Sequence, residues 1–141
     1  MSRKCALKLA VGARDDDVCA LRQWLRAQRL KCFATHNHRV TRGRCAEEAL
    51  KGYEGLITIF ILGNMDKKIE RIMRLHNVNE KKAKEMIIEQ DKKRKAYHNY
   101  FCEGKWGDSR NYDFSINSSK LGVEVTIEIL EDYINRRIEM L

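Results

Sequence analysis

The sequence predicts an α/β fold, rich in helix, in which a parallel sheet is flanked by helices. Its central observation is Leu56-Ile57-Thr58-Ile59-Phe60-Ile61-Leu62, a nearly continuous apolar run of strand length, the pattern of a strand covered on both faces. Two stretches of helical period follow it, then a short alternating stretch and a last amphipathic helix. Strand, helices, strand, helix is the order of an α/β sheet.

Taken in chain order, Asp15 to Asp17 are placed to cap a helix whose apolar positions Val18, Leu21, Trp24 and Leu25 recur at helical spacing, with Arg22, Arg26 and Arg29 outward. Residues 31–42, including Thr35-His36-Asn37-His38-Arg39, show neither period and would make a poor buried strand. A short helix is expected over Ala46 to Lys51, and Gly63-Asn64 end the apolar run. From Asp66 to Leu75, Ile69, Ile72 and Met73 repeat at i, i+3, i+4, and Asn79 caps a longer helix through Ala83, Met86 and Ile87. Tyr112 to Asn117 alternate as a strand. After Ser118 to Gly122, Val123, Ile127, Leu130, Ile134 and Ile138 mark the inward stripe of a terminal helix.

The chain has 141 residues, 43% hydrophobic and 34% charged, enough for one domain with a core. It has no proline and no run near the roughly 18 apolar residues of a membrane span. No apolar secretory segment opens the sequence, so a cytoplasmic location is expected. The five cysteines form no CxxC pair and stand at no ligand spacing with the four histidines, which predicts reduced thiols and no metal site. His36-Asn37-His38 are three adjacent letters and not the dispersed motif of the HNH nucleases.

Charge divides the chain. Residues 1–44 hold 11 Lys and Arg against 3 Asp, whereas residues 45–141 hold 17 basic against 17 acidic residues, so the net +8 belongs to the first third. Arg3, Lys4, Lys8, Arg14 and Arg22 are scattered with few aromatics between them, a pattern that argues against nucleic-acid binding.

On the helix after Asn79 the inward stripe Ala83, Met86, Ile87 becomes Gln90, Asp91 and Arg94, since 87, 91 and 94 share one face. An apolar stripe turning polar predicts a cleft. There Arg94 would hold a phosphate through its planar fork and Asp91 would accept from a ribose or base. The other reading is an intrahelical ion pair within Asp91-Lys92-Lys93-Arg94-Lys95. Gly107 suits a tight turn, Trp106 covers the sheet and Asp108 bonds a neighbouring amide. Asn117, at a strand's C-terminal end, suits either a ligand contact or a helix cap.

The segment from Tyr97 to Gly122 resembles cytidylate-kinase-like proteins of the nucleoside monophosphate kinase superfamily. The elements shared are the Gly43-Arg44-Cys45-Ala46 turn, the strand and helix from Phe60 to Arg74, and Asp91 with Arg94 on a lid-like helix. Lys105-Trp106-Gly107-Asp108, Asn111-Tyr112-Asp113 and Asn117-Ser118-Ser119 complete the match, which spans about two-thirds of the chain. The resemblance covers residues 43–141 and leaves 1–42 as a basic N-terminal segment outside it. It implies an incomplete P-loop-kinase-like sheet and phosphoryl transfer from ATP, with Mg2+, to CMP or dCMP. It also implies that Arg44, Asp91 and Arg94 face the acceptor monophosphate and that Arg71 and Arg94 act on the transferred group. Cations from separate elements suit that chemistry, because charge spreads over the phosphoryl oxygens. Read without the resemblance, Arg71 beside Glu70 is a solvated helix face.

Two departures stand beside the resemblance. None of the eight glycines heads a GxxxxGK[ST] sequence, and only Gly12 precedes residue 43, so the loop that would hold a donor's phosphates is missing. The residues before Gly43 are polar and basic where the family has a hydrophobic strand. The expectation is therefore a truncated or frame-altered form, inactive alone, whose sheet lacks its first strand and associates through an exposed edge. The alternative is a non-catalytic module that binds nucleotide or nucleic acid with a basic arm.

Overall fold

The computed structural model describes residues 5–11, 38–42, 45, 48, 50–52 and 55–140. The expected helix over residues 15–29, most of the one over 46–51, and Arg44 lie outside the described residues. Four strands, β1 (Cys5–Val11), β2 (His38–Arg42), β3 (Leu56–Leu62) and β4 (Phe114–Asn117), form one parallel sheet in the order β2-β1-β3-β4. The helices are α1 (Met65–His76), α2 (Glu80–Phe101), the single turn α3 (Ser118–Leu121) and α4 (Val123–Glu139), with a 3-10 turn at Ser109–Asn111. The predicted α/β class, with a parallel sheet, flanking helices and much helix, is the one found.

β3 is the central described strand and fits its apolar run, with Ile57 and Ile59 fully buried and Phe60 and Ile61 nearly so. It pairs with β1 on one side, Ala6 opposite Leu56 through Val11 opposite Ile61, and with β4 on the other, Ile59 opposite Phe114 through Leu62 opposite Asn117. A strand therefore lies where none was expected: Cys5–Val11 takes an interior place in the sheet. β2 was also unexpected. Among the described residues it pairs with β1 alone and so lies at the edge of the described sheet, where polar residues such as His38-Arg39 are tolerated. Because all pairings are parallel, Val11, Arg42, Leu62 and Asn117 end their strands on the same edge of the sheet.

Parallel neighbours need a long crossover, and between β3 and β4 it is the α1–α2 helical hairpin. Asn77 closes α1 in the left-handed conformation at φ 51°, a role Asn fills at helix ends. Asn79 then opens α2, its side-chain oxygen accepting from the Lys82 amide at 2.8 Å as the sequence predicts. Ile69, Ala83 and Ile87 are the buried core of the hairpin, with Ile72, Met73 and Val78 packed around them.

β4 is clipped to β3 by Asp113. Its carboxylate Oδ2 accepts from the Thr58 amide at 2.8 Å and the Thr58 hydroxyl at 3.0 Å, and its own amide donates to the Thr58 carbonyl at 2.9 Å. Phe60 packs edge-on against Trp106 with centroids 5.9 Å apart and against Tyr112 at 4.8 Å. Trp106 thus covers the sheet as predicted. Gly107 turns the chain beside it at φ 78°, a left-handed conformation that favours glycine. In α4, Leu130 and Thr126 are the buried residues and Ile138 is exposed, so the stripe runs slightly to one side of the expected one.

Candidate functional site

The site grows from the junction of β3 and α1. Leu62 ends β3 and Met65 begins α1, so the first two turns of α1 stand at the C-terminal edge of the sheet, the edge where open α/β sheets bind ligands. Polar side chains fix this junction. Asn117 at the end of β4 donates to the Asn64 side-chain oxygen at 2.8 Å and accepts from the Ser119 amide at 3.0 Å. The Ser119 hydroxyl accepts from the Asn64 amide at 2.9 Å, and the Ser118 hydroxyl donates to the Leu62 carbonyl at 3.1 Å. Of the two roles open to Asn117 from sequence, it fills that of cap.

α1 then presents Lys68 and Arg71, three residues apart on neighbouring positions of one face. Arg71 is only 5% exposed, so the solvated helix face read from sequence does not hold for it. Such burial sets a guanidinium apart from the surface cations around it: Lys67, one residue before Lys68, pairs with Glu70 in the open, both side chains at least 60% exposed.

α2 runs back along α1, and its inward stripe behaves as its spacing predicts. Ala83 and Ile87 are buried, Gln90, Asp91 and Arg94 half-buried, and His98 buried again one turn on. Lys92, Lys93 and Lys95 of the same charged run are exposed, so Asp91 and Arg94 are set apart from it by helical phase. Asp91 does make an ion pair, but across the hairpin: Lys68 Nζ lies 3.7 Å from Asp91 Oδ2, the two side chains 13% and 27% exposed. The hairpin therefore gathers Lys68, Asp91 and Arg94, with Arg71 next to Lys68 on α1. Among the described residues this face brings together three cations and one carboxylate, groups suited to an anionic ligand that also offers hydroxyl or amino donors.

Two inward-facing residues of the hairpin, one on this face and one a turn beyond it, escaped the sequence reading. Lys68 reads as one of two adjacent solvated lysines, and only the packing of α1 on α2 turns it inward. His98 lies four residues beyond Arg94, so extending the 87, 91, 94 stripe would have found it.

At the other end of β3, Leu56, Thr58, His98, Cys102, Glu103 and Asp113 line a cavity of about 530 Å³. Lys51 bridges Glu48 and Glu103 at its rim. Cys102 is buried and Cys45 half-buried, and neither is in a disulfide. Beyond it, Asp108 accepts from the Arg110 amide at 3.1 Å and from its guanidinium at 2.6 Å, which holds the Asp108 carboxyl down at about 2. Burial pushes the Tyr112 phenol up to about 12. Among the described residues no three His, Cys, Asp or Glu are grouped to hold a metal ion. No helix among them is long and apolar enough to cross a membrane.

Compared with known proteins, the chain matches the Cytidylate kinase-like family over residues 12–120. It is similar to the crystal structure of an uncharacterized protein from Eubacterium ventriosum, with 40% sequence identity and a TM-score of 0.66, over 91% of this chain and 82% of that one. No curated protein matches it.

Proposed function

The chain belongs to the cytidylate kinase-like family, and from that premise we propose that its α1–α2 face binds a nucleoside monophosphate of the CMP or dCMP kind. In this reading Arg94 takes the phosphate through its planar fork, and Asp91 accepts from the ribose or base. Arg71 supplies further positive charge from α1, and Arg44, two positions after β2 in the sequence, is assigned to the same phosphate on the family resemblance alone. The observation that carries the reading is the stripe of α2, which is apolar at Ala83 and Ile87 and turns polar at Asp91 and Arg94 while still facing inward. A helix keeps a carboxylate and a guanidinium on its packed side only against a cost in desolvation, which a charged ligand site offsets.

ATP with Mg2+ is the donor that the family's kinase name implies, and the residues present do not fit it. Where β1 ends at Val11, the chain continues Gly12-Ala13-Arg14-Asp15-Asp16-Asp17. In sequence that segment holds one glycine and three carboxylates, whereas a donor's phosphates need convergent amides and a lysine. No GxxxxGK[ST] sequence occurs anywhere in the 141 residues. We therefore read the chain as an acceptor-binding protein without phosphoryl transfer of its own.

Calorimetric titration with CMP, dCMP and ATP separately, beside a coupled assay for ADP release, tests this. The expected result is binding of CMP or dCMP, no binding of ATP and no ADP release. Failure to bind any nucleotide would refute the acceptor reading, and turnover would refute the donor half of it. Binding that weakens steeply with salt and favours oligonucleotides over CMP would support instead a module working through the basic residues 1–42.

A further inference from the structure

We infer that Lys68 is a positioning residue of the acceptor site, its ammonium holding the Asp91 carboxylate, and with it the ligand face of α2, against the helix that carries Arg71. The inference rests on the reading above that Asp91 contacts a nucleoside monophosphate. Three further ion pairs on these helices join residues three or four apart on the same helix. Lys67 with Glu70, Lys82 with Glu85 and Lys93 with Glu89 all have both side chains more than half exposed. Pairs of that kind contribute little to structure. Lys68 and Asp91 are 23 positions apart, on different helices, with exposures of 13% and 27%. Screening by water is weaker there, and the attraction fixes one helix against the other.

The separation of 3.7 Å matters as much as the burial. It is too long for a good hydrogen bond, so Lys68 attracts the Asp91 carboxylate without taking up its acceptor positions. Both carboxylate oxygens stay able to accept from a ribose hydroxyl or a base amino group. A second consequence follows from the spacing on α1. Lys68 and Arg71 share a face of one rigid helix, so the contact that aims Asp91 also sets the distance from the acceptor's sugar and base side to Arg71. Lys68 itself does not touch the ligand in this arrangement. It acts through Asp91.

The test is calorimetric titration of the full chain with CMP and, separately, with cytidine, which lacks the phosphate. Lys68→Met is expected to weaken binding of both by the same factor, about tenfold, the scale of coupling between contacting charged residues. Asp91→Asn is expected to weaken both as well, and the double substitution to be no weaker than Asp91→Asn alone. Lys68→Arg, which keeps the charge, should restore most of the loss. If Lys68→Met does not fold, as judged by its thermal transition, Lys68→Gln carries the same comparison. Unchanged binding by the substituted chain, or losses that simply add, would overturn the inference and leave the acceptor reading standing. A loss confined to CMP would place Lys68 on the phosphate and overturn the positioning role. If the unsubstituted chain binds neither CMP nor cytidine, the acceptor reading fails first and this inference with it.

Discussion

Replacing Asp113 by alanine tests whether the clip between β3 and β4 is what sets the sheet. Asp113 Oδ2 accepts two hydrogen bonds from Thr58, at 2.8 Å from its amide and 3.0 Å from its hydroxyl, and Thr58 is only 8% exposed. Bonds to a charged acceptor contribute about 1.5–3 kcal/mol each, and a buried amide left without an acceptor loses about 1–3 kcal/mol. Asp113 itself is exposed, so water reaches the gap and recovers part of this. The expected destabilisation is then about 3 kcal/mol. With an unfolding entropy of about 2.1 cal/mol/K per residue, a chain of 141 residues loses about 10 °C in Tm. Asp113→Asn keeps a carbonyl acceptor for Thr58 but not its charge, and should lose about 3 °C on the same scale. Differential scanning calorimetry of the two variants reads both shifts. An alanine variant melting within about 2 °C of the parent would refute the clip, and an asparagine variant as damaged as the alanine one would show that shape, not acceptance, matters there.

Other consequences follow from single contacts. Because the buried Tyr112 phenol is raised to about 12 from its ordinary 10, the neutral form favours the folded state. That stabilisation is complete below the unfolded value and lost as pH rises from 10 to 12; an ultraviolet titration should show Tyr112 ionising together with unfolding, and Tyr112→Phe should remove that step. Asp108, held at about 2 by Arg110, has the opposite sign: its contact is present above the ordinary carboxylate range and lost as pH falls through about 2. Carboxyl NMR should place it there, and Arg110→Ala should return it toward the ordinary value. Asn79→Ala removes the oxygen that caps α2 at the Lys82 amide and should destabilise by about 1 kcal/mol, read from denaturant midpoints. Leu130→Ala, at a position with no exposure, should destabilise by about 2–5 kcal/mol in the same assay.

What was legible in the sequence was set by how local its physical cause is. The β3 run, the Asn79 cap and the polar turn of the α2 stripe depend on periodicity and on a side chain reaching its own backbone, and each stands where its spacing put it. β1 was missed because Lys8 interrupts an otherwise apolar stretch, so no run of buried-strand type is seen in Cys5–Val11. β2 was missed for a related reason: an edge strand needs pairing on one side only, and its sequence carries no demand for an apolar face. Thr126 took a core place in α4 because its hydroxyl donates to the Gly122 carbonyl at 2.6 Å. With its polar group satisfied within the helix, it buries as an apolar residue does, and the stripe turns toward it. Lys68 was out of reach altogether. Lys67 and Lys68 are the same letter, and their difference in exposure, 60% against 13%, arises only from which side of α1 meets α2.

The division between rigid and ligand-facing polar groups narrows where substrate chemistry can sit. At the sheet edge the polar atoms near the end of β4 are largely engaged with one another. Asn117 uses its oxygen on the Ser119 amide and its nitrogen on Asn64, while the Ser118 and Ser119 hydroxyls join Leu62 and Asn64. Such a network holds the start of α1 against the end of β4 and leaves less of it to recognise a ligand. The α1–α2 face is built the other way. Asp91 meets Lys68 at ion-pair distance rather than hydrogen-bond distance, so its oxygens keep their capacity to accept. On the proposed reading, recognition belongs to the hairpin and rigidity to the strand ends. On this argument, changes at Asn117 should lower stability and affinity together, and changes at Asp91, which also release Lys68 from its ion pair across the hairpin, should lower affinity and cost some stability as well.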